Sequence, residues 1–315
     1  MIKLILQRLA LAFLTLATVC VLVFGVTEAL PGDVCTAFLG RDAQGTRLEN
    51  CRQQRNLNQP ALQRFATWSA GVFQGDLGTS LKRDKPINDL VANRMRNTAV
   101  LGLGAALIGI PMAILLGVLA ALRRDRTPDM VISGGSIFAM TIPEFVTATL
   151  LIYIFAIQLQ WFPAITTVRH SAPLSELIPN IILPMVTLAL VMMAHILRMV
   201  RSSMIDVMAS DFVQMARLKG VPYWRIVFIH ALPSAMLPAI NIIALTIAWL
   251  LGGVVIIEQV FNYPGIGTLM IRAIYDRDLP LVQAIALILA AVYVLCNLLA
   301  DLASLALNPR LRSAR

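Results

Sequence analysis

The sequence lacks the short motifs that bind ATP, bind metal or activate a nucleophile. Each of its four lysines follows a residue other than glycine, so the phosphate-binding pattern G-x-x-x-x-G-K-[ST] cannot be formed. The patterns H-E-x-x-H, C-x-x-C and G-x-S-x-G are also missing. The three histidines, His170, His195 and His230, are too widely spaced to form a metal-binding motif. We therefore expect a chain that is not an enzyme and that holds no cofactor or metal of its own.

Three ionisable residues lie in or at the ends of strongly apolar segments: His195, Glu144 and Glu258. An ionisable group in such a segment is costly in a membrane, and it is a candidate for a polar pathway. Arg198, close to His195, lies near the end of its segment and can extend its charge toward water. For Glu258, a structural role and a role in gating a solute both fit the sequence.

The four cysteines fall into two groups. Cys20 and Cys296 lie in apolar segments, where cysteine usually acts as a small buried hydrophobe. Cys35 and Cys51 lie in a long polar segment, and an oxidising compartment would permit a disulfide between them. The spacing does not establish that the two sulfurs meet, so this disulfide is a hypothesis.

The composition indicates a membrane protein. Of the 315 residues 58% are hydrophobic and 14% charged, whereas soluble domains are about 45–50% apolar and about 25% charged. The net charge of +9 could suggest a nucleic-acid partner. The cations, however, lie mostly between apolar runs and form no basic stripe interleaved with aromatic residues. Lipid is therefore the expected partner of this surface, and nucleic acid is not.

The apolar runs predict an all-α, polytopic membrane protein with six transmembrane helices. About 20 apolar residues of helix cross a bilayer core, and six stretches qualify: Leu9–Leu30, Thr98–Leu122, Met130–Gln158, Ile178–Val200, Ala235–Val260 and Leu281–Leu307. The third contains Pro143 and Glu144. The first run is longer than the apolar region of a cleaved signal peptide and no clear cleavage site follows it, so we expect it to stay as a span.

The distribution of lysine and arginine predicts the orientation. With both termini in the cytoplasm, the cytoplasmic segments hold most of the cations of the short loops, namely Lys3, Arg8, Arg123, Arg124, Arg126, Arg198, Arg201, Arg217, Lys219, Arg225, Arg310, Arg312 and Arg315. The expected organisation is an N-terminal tail and first span (1–30), a periplasmic loop (31–97) and a five-span core (98–315). Within the periplasmic loop, the spacing of apolar residues over Pro60–Phe73 predicts an amphipathic helix.

The inner loop between the fourth and fifth spans, residues 201–233, predicts two short helices that meet at Gly220. Asp206–Lys219 has a helical apolar side, Gly220 and Pro222 interrupt it, and Tyr223–His230 resumes as a helix. Pro233 then begins the return into the membrane. Such a pair forms a compact projection outside the bilayer, which suits docking into a cleft on a cytoplasmic partner.

The inner loop resembles the EAA signature of ABC-importer permeases, E-A-A-x3-G-x9-I-x-L-P. Ala216, Gly220, Leu232 and Pro233 match this pattern, whereas Gln214, Met215 and His230 depart from it. Further segments resemble the first of the two permease subunits in the dipeptide/oligopeptide/nickel group of these importers. They extend along nearly the whole chain: ALPGD (29–33), LNQPALQRF (57–65), GDLGTS (75–80), IPEF (142–145), WFPA (161–164), DFVQMARLKG (211–220), GGVVIIEQVFNYPGIG (252–267), RDLPLVQ (277–283), NLLADL (297–302) and NPRLR (308–312).

This resemblance implies a multi-pass subunit of the bacterial inner membrane that works in a complex. The partners would be a related second permease, two ATP-binding subunits that hold ATP and Mg²⁺, and a periplasmic substrate-binding protein. The inner loop would transmit the movement of the ATP-binding subunits to the spans. The residues expected to carry this coupling are Asp211, Ala216, Lys219, Gly220, Tyr223 and Arg225.

The substrate stays open at this point. Proteins of this group carry di- and oligopeptides, nickel chelates, opines and glutathione, and the absence of a metal-ligand cluster favours peptide-like molecules. An autonomous channel or secondary transporter is the competing class. It predicts ionisable groups at the membrane midplane and broken helices in matching halves of the chain, and the sequence contains few such groups and no clear internal repeat.

Overall fold

The computed structural model describes residues 2–29, 34–54 and 57–307, which are helical apart from one short hairpin and the connecting loops. The predicted features at 30–33 and 308–315, including the C-terminal cations, lie outside the described residues. The α-helices follow one another along the chain as α1 (Ile2–Ala29), α2 (Val34–Leu39), α3 (Gly45–Gln54), α4 (Ala61–Phe73), α5 (Ile87–Leu122), α6 (Thr127–Thr141), α7 (Glu144–Leu151), α8 (Leu174–Asn180), α9 (Ile182–Met208), α10 (Asp211–Leu218), α11 (Tyr223–Arg225), α12 (Leu232–Val260), α13 (Ile266–Tyr275) and α14 (Leu279–Leu307). The antiparallel strands β1 (Thr79–Ser80) and β2 (Lys85–Pro86) precede α5.

Within the described chain, five regions have the length and hydropathy of membrane spans, and they lie in α1, α5, α9, α11–α12 and α14. The third predicted span is a pair of helices, α6 and α7, that meet at an angle of 109°. The described residues thus contain five spans, or six when the bent pair counts as one. This confirms the predicted all-α polytopic fold.

The break between α6 and α7 results from Pro143. Ile142 adopts an extended backbone (φ −84°, ψ 125°), as expected for the residue before a proline. Pro143 then precedes the first turn of α7, where its missing N–H costs no helical hydrogen bond. The predicted span across Met130–Gln158 is therefore a bent pair of helices and not one continuous helix. The helix type also changes in the second half of this segment, where Ile152–Gln158 continues from α7 as a π-helix.

The helix that carries the second span is longer than the sequence suggested. The predicted span begins at Thr98, whereas α5 begins at Ile87 and has 36 residues. At a rise of 1.5 Å per residue it is about 54 Å long, and a bilayer core is about 30 Å thick. Its first turns therefore project beyond the membrane core at the end of the bundle that carries β1 and β2, which we call the hairpin end.

A stripe of small residues lets α5 approach α9 closely. Ala105, Gly109, Ala113 and Gly117 recur at every fourth position of α5, and all are buried. A Cβ atom at Gly117 would lie 2.8 Å from the backbone oxygen of Leu197, and one at Gly109 would lie 3.0 Å from a side-chain carbon of Met192. Helices in membranes pack through such small residues, since backbones in contact gain dispersion energy. We call this α5–α9 contact the small-residue seam.

The return from the inner loop differs from the prediction. Instead of two helices separated at Pro233, α11 passes directly into a π-helical turn over Ile226–Ala231 and then into α12. Pro233 lies in the first turn of α12, where its missing N–H is accommodated. The buried side chains of Ile226 and Val227 hold this continuous helix against the bundle. The inner loop therefore contains one helix that is separate from the spans, α10. Its second half, α11 and the π-helical turn, is a continuation of α12.

The first helix packs at the periphery of the bundle, against α14 and α4. Arg8 of α1 forms an ion pair with Asp301 of α14, with 2.8 Å between Nη1 and Oδ2. At the hairpin end, Phe24 of α1 contacts Phe65 and Trp68 of α4, with ring centroids 5.2 and 6.0 Å apart. The predicted amphipathic helix is thus present, and its aromatic side caps the end of α1.

A disulfide joins Cys35 of α2 to Cys51 of α3, and their Cα atoms are 5.9 Å apart. Cys20 and Cys296 carry free thiols and are half-buried within α1 and α14. The disulfide closes the small loop that follows the first span.

Candidate functional site

The candidate coupling surface is formed by α10 and α11 at the opposite end of the bundle from the hairpin. Val213 is fully buried and anchors α10 to the bundle. The other large apolar side chains of these two helices are exposed, namely Phe212, Met215, Leu218, Tyr223 and Trp224. A group of exposed apolar residues of this kind is typical of a surface that binds another protein or a membrane. We call it the α10 surface.

Gly220 ends α10 in a left-handed conformation, with φ at +71°. The N–H of Gly220 donates to the backbone oxygen of Arg217 (3.0 Å), and the N–H of Val221 donates to that of Ala216 (3.2 Å). This pair of bonds is the Schellman motif, which satisfies the last carbonyls of a helix. No atom lies within 4 Å of a Cβ built on Gly220, so backbone conformation, and not space, requires glycine there.

The remaining predicted coupling residues lie around the same turn. Asp211 is exposed in the first turn of α10, where a negative charge interacts favourably with the helix dipole. Lys219 is the exposed residue that follows α10, and Arg225 is exposed at the end of α11. Ala216 is half-buried and contributes its carbonyl to the motif described above. The structure therefore brings all six predicted residues onto one projection.

An ion pair between a buried carboxylate and a half-buried arginine lies near the base of this projection, and the sequence analysis missed it. Asp129, at the start of α6, accepts hydrogen bonds of 2.6 Å from both Nε and Nη2 of Arg201 on α9. Asp129 also accepts a bond from the backbone N–H of Asp125 (2.9 Å) and one from Ser133 (2.9 Å). In the sequence analysis, Arg201 serves only as one of the cations that predict the orientation of the chain in the membrane. The available signal was Asp129, an acidic residue that closely follows three arginines, Arg123, Arg124 and Arg126.

The three candidate pathway residues occupy different elements and environments. His195 is exposed on α9 in the middle of a span. Glu144 is the first residue of α7, directly after the break, and its Oε2 atom is buried without a hydrogen-bond partner among the described residues. Glu258 is fully buried near the end of α12. The carboxylate of Glu258 is thus shielded from solvent in this conformation.

Glu258 binds the N-terminus of α13. It accepts hydrogen bonds from the hydroxyl of Thr98 and from the backbone N–H of Thr268 (3.1 Å). A Cβ at Gly265 would overlap the Glu258 carboxylate, and one at Gly267 would lie 2.7 Å from the Cα of Val255. The sequence analysis did not foresee this close approach. We call this arrangement the Glu258 network.

Asn97 and Tyr263 extend these contacts at the hairpin end. The hydroxyl of Tyr263 donates to the backbone oxygen of Asn97 (2.7 Å), and burial raises the pKa of Tyr263 further above its ordinary value. The amide of Asn97 donates to the backbone oxygens of His170 (3.1 Å) and Pro264 (3.0 Å). One buried side chain on α5 therefore holds the loop before α8 and the turn before α13.

Asp278, just before α14, binds the hairpin. It accepts hydrogen bonds from the hydroxyl of Ser80 and from the backbone N–H of Leu81 (3.1 Å), and it is fully buried. Arg83 adds an ion pair to Asp276 (3.0 Å). The segments 75–80 and 277–283, which the sequence analysis noted separately, thus meet in space.

Comparison with known proteins identifies the family. The profile described as "Binding-protein-dependent transport system inner membrane component" matches residues 113–313, and the profile of its N-terminal region matches residues 1–102. The chain is 34% identical to a probable peptide ABC transporter permease of Sinorhizobium fredii, with 98% of both chains covered. It is 35% identical to a putative peptide transport system permease of Brucella suis (98% and 99% covered) and 33% identical to the glutathione transport system permease GsiC of Escherichia coli (99% of both).

A solved structure agrees with the fold. The crystal structure of an amino acid ABC transporter with histidines covers 69% of this chain, and 94% of that chain is matched, with a TM-score of 0.51 and 18% identity. The fold, the helical projection at one end of the bundle and the matches along the whole sequence therefore agree. The chain belongs to the family of inner-membrane components of binding-protein-dependent transport systems, and it is a permease subunit of an ABC transporter.

Proposed function

We propose that this permease carries peptides or peptide-like small molecules into the cell, driven by ATP hydrolysis on separate cytoplasmic subunits. The observation that carries the coupling part of this proposal is the α10 surface, with its exposed apolar side chains beside Gly220. The substrate class rests on the relatives, whose names specify peptides or glutathione. These molecules share a free carboxylate and an amide backbone.

The proposed complex contains a second, related permease, two ATP-binding subunits that hold ATP and Mg²⁺, and a periplasmic substrate-binding protein. Both termini of the chain would lie in the cytoplasm. The α10 surface would then face the ATP-binding subunits, and the hairpin end would face the periplasm. The cations near the α10 end, including Arg123, Arg124 and Arg217, support this orientation.

The mechanism is a two-state change of the bundle. Closure of the ATP-binding pair would pull the α10 projections of the two permeases together and open the pathway toward the periplasm. A partner shifts such an equilibrium only by binding one state more tightly than the other. In this chain the residues around the turn, Asp211, Ala216, Lys219, Gly220, Tyr223 and Arg225, would carry the contact. The chain itself performs no covalent step.

The test is recovery of the tagged chain from membranes in mild detergent, with mass spectrometry of the co-purifying proteins and ATPase measurement. We expect a second permease, ATP-binding subunits and vanadate-sensitive hydrolysis. After reconstitution with the binding protein, radiolabelled di- and tripeptides should accumulate in an ATP-dependent manner. A chain that is recovered alone and is stable without ATPase subunits would contradict the proposal and favour an autonomous channel or secondary transporter.

A further inference from the structure

The hairpin end of the bundle contains a cavity of about 230 Å³ with strongly positive walls. The walls come from α5, the loop 159–173, the turn 261–265 and α13. The ionisable residues that line the cavity are Arg94, Arg169, His170 and Arg272, and none of the lining residues is acidic. Arg169, His170 and Arg272 are exposed, so a solute can reach the charged groups from water.

The arginines of the cavity form no ion pair within the described part of the chain. No carboxylate lies within ion-pair distance of Arg94, Arg169 or Arg272 among the described residues. Glu258 attracts Arg94 electrostatically, but it forms no ion pair with this arginine and does not line the cavity. The cavity therefore combines three guanidinium groups with no carboxylate in its lining.

The walls of the cavity are held in place by hydrogen bonds. The Nη2 atom of Arg272 donates to the side-chain oxygen of Asn262 (3.2 Å), which fixes the direction of this arginine. Asn97 holds the backbone at His170 and Pro264, and the N–H of Thr166 donates to the backbone oxygen of Phe261 (2.8 Å). A site that is organised before its ligand arrives loses less conformational entropy on binding.

The histidine in the wall responds to this environment. Partial desolvation lowers the pKa of His170, and the positive charges of Arg94 and Lys85 lower the pKa further. The lowered pKa favours the neutral ring of His170, which can contact a ligand without adding charge. The arginines supply the positive potential.

We propose that this cavity binds a carboxylate, and that in the working transporter this is the C-terminal carboxylate of the arriving peptide. Guanidinium groups match carboxylates in geometry and bind them with charge-assisted hydrogen bonds. The volume is below the roughly 300–1,000 Å³ of sites for drug-sized molecules, so it suits one end of a peptide. The identity of the ligand rests on the proposed function, whereas the presence of a carboxylate site does not.

The first experiment uses the complete transporter in nanodiscs, without the binding protein. Phenylglyoxal modifies accessible arginines, and mass spectrometry quantifies the product at each position. Glycylglycine should protect Arg94, Arg169 and Arg272, whereas glycylglycinamide, which lacks the carboxylate, should not. Arg277 is exposed on the same end outside the cavity, and its labelling should stay constant. Equal labelling of the cavity arginines with and without glycylglycine would overturn the site.

Variants give a second readout. Arg272→Gln should raise the glycylglycine concentration needed to protect Arg94 by about tenfold, since one charge-assisted hydrogen bond is lost. The matched control Arg277→Gln should leave that concentration unchanged. Stronger protection by inorganic phosphate than by glycylglycine would overturn the assignment to a carboxylate. Protection by the ligand-free binding protein alone would overturn the peptide as occupant and assign an acidic side chain of that protein.

Transport separates this proposal from the proposed function. With one binding protein and a fixed pair of substrates, the uptake ratio of a free dipeptide to its amide should fall in Arg272→Gln and stay constant in Arg277→Gln. The preference of the binding protein itself cancels in this comparison. If the wild-type complex takes up peptide but glycylglycine does not protect the cavity arginines from phenylglyoxal, the carboxylate site is overturned and the proposed function is retained. If glycylglycine protects these arginines but the wild-type complex takes up no peptide, the proposed function is contradicted and the carboxylate site is retained.

Discussion

Asp129 and Arg201 form a two-point ion pair at the base of the α10 projection, with both hydrogen bonds 2.6 Å long. The pair joins the first turn of α6 to the last two turns of α9, and α10 begins a few residues after α9 ends. A displacement of α10 that moves the end of α9 would therefore reach α6 through this contact. Since α6 ends at the Pro143 break, the pair links the α10 surface to the most sharply bent part of the bundle.

Replacing Asp129 by Asn should destabilise the protein by about 3 kcal/mol, because removal of one member leaves the other charge without its partner in a largely buried site. Asp125→Asn is the matched control, since Asp125 is exposed and its ion pair with Arg124 is worth about 1 kcal/mol or less. Denaturant titration in detergent, or the loss of monodisperse protein on heating, measures the difference. Equal stability of the two variants would show that the buried pair contributes no more than the exposed one.

The turn at Gly220 should depend on backbone conformation. Gly220→Val places a β-branched residue at φ +71°, which is strongly unfavourable, and should abolish peptide uptake while the complex still assembles. Gly220→Asn should retain most uptake, because asparagine tolerates the left-handed region. Uptake and co-purification of the ATP-binding subunits are measured in parallel. Unchanged uptake by the valine variant in an assembled complex would exclude a coupling role for this turn.

The Glu258 network should tolerate no added methyl group at Gly265. Gly265→Ala should cost about 1–3 kcal/mol, since the new Cβ would overlap the carboxylate of Glu258. Gly134→Ala is the control, because Gly134 lies in a helix with no atom within 4 Å of an added Cβ. Thermal unfolding of both variants in the same detergent provides the comparison. A Gly265→Ala protein as stable as the wild type would mean that α12 and α13 are less closely fixed than described.

The hairpin should loosen when Asp278 is changed. Asp278→Ala leaves the hydroxyl of Ser80 and the N–H of Leu81 without their acceptor, at a cost of about 1–3 kcal/mol for each buried group. Trypsin should then cleave after Lys82 or Arg83 at least about tenfold faster, since about 1.4 kcal/mol of local opening corresponds to that factor. Asp276→Asn, on the exposed ion pair with Arg83, should change the rate much less. Equal cleavage rates would show that Asp278 does not hold the hairpin closed.

The sequence predicted what depends on local pattern. Apolar runs placed the spans, and the apolar spacing after Pro60 located α4. Gly220 was identified because a turn that interrupts two amphipathic stretches requires a residue of this kind. These features need only neighbouring residues, so a single sequence contains them.

The contacts between distant segments could not be predicted in the same way. Ser80 and Asp278 are 198 positions apart, and Thr98 and Glu258 are 160 apart. Neither pair has a spacing that indicates contact. The form of the third span was missed for a different reason, because a proline in an apolar run fits both a kinked helix and a complete break. Only the packing of α7 against α9 and α12 decides between them.

The small-residue seam also constrains how this protein can change shape. Gly117 meets the backbone oxygen of Leu197 and the branched side chain of Val200, and neither has a flexible end that could move aside and absorb a displacement. We therefore expect α5 and α9 to travel as one rigid body through the transport cycle. Spin labels on the lipid-facing sides of these two helices would keep one distance with and without nucleotide, and a change in that distance would show that the seam slides. The smallest side chains of the chain would then determine which parts of the transporter move together.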